Sequence, residues 1–233
     1  MLGKGYDSVA IAIVQTKGGG TGSGTSMALT WDNNTTTGNL IVVMIGTTAA
    51  FTSIVDSQSN TYTLVHANGP GTVNYRMYYV QNIIGGVTPT ITVNMSLGQG
   101  NFIAREYSGI LATSDPFDDE FSDLNSGIDN PALVGPAVNT SVPCLAVSGI
   151  YSGTNPSVGS GWQNYVEQLE AGSTVYTAMQ NKFLTSVTST TSEFNGTTGN
   201  WGSGIATFKA DVQSSKIVTN ILRPHVFSPG LAR

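Results

Sequence analysis

The densest charge in the chain is the group Asp115, Asp118, Asp119, Glu120 and Asp123. Paired carboxylates do glycosidase chemistry when two of them flank a scissile bond. They hold Ca²⁺ when further oxygens complete six to eight ligands, and they dock basic partners. Most commonly they are a solvated strand edge that discourages edge-to-edge aggregation. Alternation along a strand sets Asp119 on the face opposite Asp118 and Glu120. A second oxygen cluster, Asp56-Ser57-Gln58-Ser59-Asn60, suits Ca²⁺ or, more simply, a turn in which Asp and Asn bond their own backbone. Glu106 suits a buried structural carboxylate with a Tyr or Arg partner from another strand. His66 and His225 are isolated and make neither a metal site nor a triad. The glycine run 18–24 lacks the Gly-Lys-Ser/Thr of a phosphate loop and is expected to be a plain loop. No enzyme activity, cofactor or metal site is therefore expected. Trp31, Trp162, Trp201, Tyr75, Tyr78 and Tyr79 suit a sandwich core or interface. The same six could instead form a platform that stacks on sugar rings, with Trp162 and Trp201 the foremost candidates.

The elements that must position these residues are strands. Only 10% of residues are charged, against roughly 25% in an average domain; Thr, Ser, Asn and Gly carry the polarity. That composition belongs to β-strands with hydroxyls on the solvent face, joined by tight turns. Leu40-Ile41-Val42-Val43-Met44-Ile45 reads as a central strand covered on both faces. Thr90-Ile91-Thr92-Val93-Asn94-Met95 alternates with period two, so one face is buried and one wet. Further strands are expected near 8–16, 27–31, 52–56, 61–66, 72–81, 101–107, 117–121, 137–140, 145–151, 162–170, 174–183, 186–192 and 201–209. Segments 111–116 and 124–136 are expected to be surface loops. No helical pattern persists for three turns, and no repeat appears at a solenoid period. The expected fold is all-β: an antiparallel two-sheet β-sandwich, jelly-roll-like, over residues 1–210, with an extended C-terminal arm over 211–233.

Cys144 is the only cysteine; no intrachain disulfide can form, and it is expected to be a small buried hydrophobe. Residues 1–7 lack the features of a signal peptide, and no apolar stretch is long enough to span a membrane.

The arm contrasts with the body. Lys209, Lys216, Arg223 and Arg233 against Asp211 give the last 25 residues a net charge of +3, leaving −8 on residues 1–208. An acidic body with a basic, apolar arm suits docking on a neighbouring chain and argues against nucleic acid as the body's ligand. The residues expected to bind that partner are Ile217, Val218, Ile221, Leu222, Arg223, Val226, Phe227, Leu231 and Arg233.

An ordered set of short sequences over about residues 8–210 resembles a β-sandwich domain of phage virion structural proteins and bacterial surface proteins. It comprises Gly38-Asn39-Leu40-Ile41-Val42-Val43, Val55-Asp56-Ser57-Gln58-Ser59-Asn60-Thr61-Tyr62, Tyr78-Tyr79-Val80, Ala104-Arg105-Glu106-Tyr107-Ser108-Gly109, Asp115-Pro116 and Gly199-Asn200-Trp201. The ending Phe227-Ser228-Pro229-Gly230-Leu231-Ala232-Arg233 also looks like ends of phage virion components. The resemblance implies a sandwich displayed on a particle or cell surface, and no catalytic residues. The expected function is that of a structural virion protein: a capsid decoration (cement) protein, head fibre or tail-associated component, assembled in the host cytoplasm. The expected partners are other virion proteins and copies of itself, a trimer by analogy, with no nucleic acid and no membrane. The alternative is a module that binds a surface glycan or host receptor.

Overall fold

The computed structural model describes residues 7–8, 10–68, 74–125, 131–169, 175–197 and 199–213. Among them the protein is all-β, with antiparallel sheets and no helix. In chain order the strands are β1 (Asp7–Ser8), β2 (Ala12–Thr30), β3 (Leu40–Thr47), β4 (Phe51–Asp56), β5 (Thr63–Asn68), β6 (Asn74–Val80), β7 (Thr90–Ser108) and β8 (Phe117–Asn125). They continue with β9 (Ala132–Val138), β10 (Cys144–Ser152), β11 (Ser157–Val158), β12 (Gln163–Gln168), β13 (Tyr176–Leu184), β14 (Ser189–Asn195), β15 (Trp201–Lys209) and β16 (Val212–Gln213).

Two large sheets face each other. One has the order β2-β7-β3-β6-β5 and the other β12-β13-β10-β15-β8. Between them lies a core that includes Leu40, Val42, Met44, Met77, Tyr107, Leu145, Val147, Met179 and Phe208. β3 is buried along its whole length, as its unbroken apolar run requires, because its alternate residues enter a second core on the sheet's other face. There Ile41, Val43 and Ile45 meet Met27 and Leu29 of β2 and Ile91, Val93 and Met95 of β7. β2 and β7 are 19 residues each. Each bends, so that one part pairs within the large sheet and the other folds over it beside β4. A third core, with Ala146, Ile150, Ala178 and Ile205 on one side and Ala132, Val134 and Phe194 on the other, joins the second large sheet to the small sheet β11-β14-β9.

Two expectations are corrected. The glycine run 18–24 is strand, not loop: it pairs with β7, with register shifts around Gly24. Glycine is needed here because β2 turns from one layer to the next and backbone fills the side-chain space; a Cβ on Gly19 would lie 2.9 Å from the backbone oxygen of Ala28. Within the expected loop 124–136, Ala132 onward is strand β9, paired with β14. Its alternate residues Ala132, Val134 and Ala137 are buried, a pattern a register shift at Gly135-Pro136 conceals in the sequence.

The strand order repeats. β2-β7-β3-β6-β5 in the first half corresponds strand for strand to β8-β15-β10-β13-β12 in the second, and the small layer formed by β2, β7 and β4 corresponds to β9-β14-β11. Register then assigns counterparts: Leu40 with Leu145, Val42 with Val147, Met77 with Met179, Met44 with Gly149 and Gly46 with Tyr151. The last two pairs also face each other. A Cβ on Gly149 would lie 2.4 Å from Met44 Sδ, and one on Gly46 would lie 2.0 Å from Tyr151 Cδ2. Counterparts that meet at two successive inward positions place a pseudo-two-fold axis along β3 and β10. The outer seams obey the same symmetry: Asn68 meets Ser122 on one side, and their counterparts Gln168 and Gly18 meet on the other.

The ends of the body converge. β16 pairs with β1, Asp211 N–H donates to Gly109 O at 2.9 Å, and Leu111 N–H donates to Lys209 O at 3.0 Å. Residue 213, the last described residue, thus lies beside β1 and the junction of the two halves.

Candidate functional site

Asp115, Asp118 and Asp119 are engaged by donors of the fold. Asp115 Oδ1 accepts from Tyr79 Oη at 2.9 Å and from Phe117 N at 3.0 Å. Asp118 accepts from Thr140 through both N–H and Oγ1 and lies 3.5 Å from Lys209 Nζ. Asp119 Oδ2 accepts from Val138 N at 2.7 Å. Asp118 and Asp119 therefore both reach the end of β9, against the expected alternation. The cause is a β-bulge: Thr207 pairs with Asp119 and Phe208 with Phe117, leaving Asp118 as the extra residue. Glu120 points the other way, to His66 Nδ1 at 3.2 Å, across the seam between the halves. No three His, Cys, Asp or Glu among the described residues are grouped to hold a metal ion. Asp123 lies on β8.

Glu106 is fully buried, but its partners are amides rather than Tyr or Arg. Oε1 accepts from Asn39 Nδ2 at 2.6 Å and Thr36 N at 2.8 Å, and Oε2 accepts from Gln15 Nε2 at 2.7 Å. Arg105 points to the opposite face and enters the second half. It donates to Asn181 Oδ1 at 2.9 Å, Asn164 O at 2.7 Å and Thr16 Oγ1 at 2.8 Å. One dipeptide thus pins a loop on one face and the seam on the other.

The Asp56 loop is a turn. Asp56 Oδ1 accepts from Gln58 N and Asn60 N, and Oδ2 from Asn60 Nδ2 and Tyr62 Oη, all within 2.8–3.1 Å. Trp162 and Trp201 do not form a sugar platform. They are 6% and 2% exposed, Trp162 donates Nε1–H to Thr191 O, and the Lys182 ammonium lies 5.7 Å from its ring centre. Tyr75, Tyr78, Tyr79 and Trp31 are buried as well, because the layers use both faces of most strands. The arm residues Ile217, Val218, Ile221, Leu222, Arg223, Val226, Phe227, Leu231 and Arg233, and His225, lie outside the described residues.

Cys144 is buried, and burial, the largest influence, pushes its thiol up to about 12. The thiolate is the reactive form, so the native chain should resist a thiol-reactive disulfide reagent at mildly alkaline pH and react fully once unfolded. Rapid labelling of the native chain would contradict this.

The loops at the Leu40 end of the first half form an open depression of about 370 Å³. Ser59, Asn60, Thr61 and Thr63 line one side, Gln81 and Asn82 the other. Asn60 Oδ1 accepts from Ile84 N at 2.8 Å and ties the two loops together. Ser59 and Asn82 hold φ of 59° and 49°. Sequence reading singles out the Asp56–Asn60 turn but not Gln81 and Asn82, whose only local signal is an Asn at a strand end. What joins them to the turn is the pairing of β5 with β6. Comparison of the chain with protein-family models, curated proteins and solved structures finds no match.

Proposed function

We propose that this chain is a structural component of a phage particle, a capsid decoration protein, head fibre or tail-associated part, that acts by binding other proteins and not by turnover. Each half has eight strand segments when the bends in β2 and β7 are counted, with segments 1-8-3-6 in one sheet and 2-7-4 in the other. We read this as a jelly-roll-like order in which the fifth segment has joined the larger sheet. The carboxylates of Asp115, Asp118 and Asp119 are spent on backbone and side-chain donors of the fold, a use that suits a scaffold.

The observation that carries the reading is the contrast in charge between the C-terminal residues and the rest of the chain. Residue 213 sits beside the first strand and the junction of the halves. Residues 214–233 hold Lys216, Arg223 and Arg233 and no acid, against an acidic body. Such a segment, anchored at one end of a rigid scaffold, is suited to lie across a neighbour.

Light scattering after size exclusion tests this on the full chain and on a chain ending at Gln213. The expected result is an oligomer that becomes monomeric on truncation, with the melting temperature of the body kept. Equal masses together with a lower melting temperature would mean that the arm closes its own subunit. A surface-glycan module is the second reading. The buried tryptophans do not support it; the uncharged depression does.

A further inference from the structure

The depression between the 57–62 and 81–84 loops has no ionisable side chain in its lining. Its walls are hydroxyls and carboxamides, groups that both donate and accept. Ile84, 54% exposed, adds alkyl surface, while the neighbouring Val80 is buried. A charged ligand would find no counter-charge there. A ligand carrying several neutral hydroxyls beside a C–H face would find both kinds of partner.

The depression is also preformed. Asn60 is held at three points, by Asp56 through its N–H and Nδ2 and by Ile84 N–H through Oδ1. Ser59 and Asn82 are two of the three non-glycine residues with left-handed backbone among the described residues. Such conformations are unfavourable for most L-residues and concentrate at binding and catalytic sites. In the wall, Gln81 Oε1 is buried with no hydrogen-bond donor; a ligand hydroxyl reached by rotating the amide would satisfy it.

The internal repeat supplies a control. The counterparts of Thr61, Tyr62, Val80 and Gln81 are Gly161, Trp162, Lys182 and Phe183. There the lysine ammonium lies over the tryptophan ring and 3.3 Å from the position a Cβ on Gly161 would take. The same place in the same strand order is filled in the second half. The opening in the first half is therefore a product of its side chains rather than of the fold.

We propose that this depression binds a neutral pyranose unit of a surface glycan. Its volume falls within the range of small-ligand sites, roughly 300–1,000 Å³, and its openness suits a chain-terminal sugar. The site rests on the glycan reading and not on the arm, so its failure would leave the assembly reading standing.

The test is an amide ¹H–¹⁵N titration of the full chain with the methyl glycosides of glucose, galactose and N-acetylglucosamine. At least one sugar should shift amides in 57–63 and 80–85, with a Kd on the order of 1 mM. Asn82→Gly, which keeps the left-handed backbone, and Thr61→Ala should each weaken that binding about tenfold, the worth of one or two neutral hydrogen bonds. Silence with all three sugars, shifts confined to another surface, or unchanged affinity in both variants would overturn the proposal. Shifts at these amides from a neutral blocked dipeptide, with the sugars silent, would also overturn it, in favour of peptide docking.

Discussion

Replacing Gly46 with alanine is expected to lower the stability of the chain by about 3 kcal/mol, the upper range for overpacking a core. The new Cβ would sit 2.0 Å from Cδ2 and 2.8 Å from Cγ of Tyr151, and 2.6 Å from Thr177 Oγ1. Tyr151 and Thr177 are buried, and an aromatic ring cannot bend away as a flexible chain end can. For a chain of this size the melting temperature should fall by about 6–12 °C. The mechanism makes a further demand. Because Gly46 and Tyr151 are counterparts across the pseudo-two-fold axis, Gly46→Ala combined with Tyr151→Leu should cost less than the two single changes together, by about 1 kcal/mol or more. Additive costs would show that the strain at Gly46 is local to β3, and the account of the axis would fall. Gly149 opposite Met44 is the milder version of the same arrangement, since a methionine end can move aside.

The second large effect belongs to Arg105. Its guanidinium is buried and reaches three neutral oxygens, two of them in the second half and one on β2. Arg105→Met fills similar volume but leaves Asn181 Oδ1 and Asn164 O without these donors inside the seam. Hydrogen bonds from a charged donor contribute roughly 1.5–3 kcal/mol each, and a buried unsatisfied acceptor costs about 1–3 kcal/mol. A net loss of about 3–4 kcal/mol follows once the removed desolvation of the charge is set against these terms. Arg105→Lys should recover less than half of it, because one ammonium cannot span a fork of three acceptors. Urea unfolding at an unchanged slope measures both. A loss under about 1 kcal/mol for Arg105→Met would mean that the polar seam is dispensable and that apolar contacts alone hold the halves together.

These two sites show why some features could be read in advance and others not. The Leu40–Ile45 run announces a strand covered on both faces, and β3 is buried throughout. The alternation of Thr90 to Met95 announces one buried face, and burial alternates there residue by residue. The Asp56–Asn60 turn likewise follows from side chains that bond backbone two to four residues away. All three depend on periods or bonds that close within a few residues. The burial of Trp162 and Trp201 depends instead on a further layer packing over the second large sheet. The turning of Asp118 depends on a bulge set by pairing with β15, about 90 residues later.

The internal repeat is hidden for a different reason. Across a pseudo-two-fold axis a residue packs against its own counterpart, and two copies of a large side chain would collide there. Where counterparts meet, complementarity therefore favours unlike pairs, Met44 against Gly149 and Tyr151 against Gly46, and the identical counterparts Leu40 and Leu145, Val42 and Val147, and Met77 and Met179 are too scattered along the chain to reveal the repeat. By itself, then, the sequence determined the β class, the places of several central strands and the tight turn at Asp56, because alternation and short-range bonding are local. Only the tertiary structure decided which glycines bend a strand between layers, which aromatics are covered, and which uncharged loops meet to form a depression. Those outcomes depend on contacts between residues tens to more than a hundred positions apart, and local pattern carries no record of them.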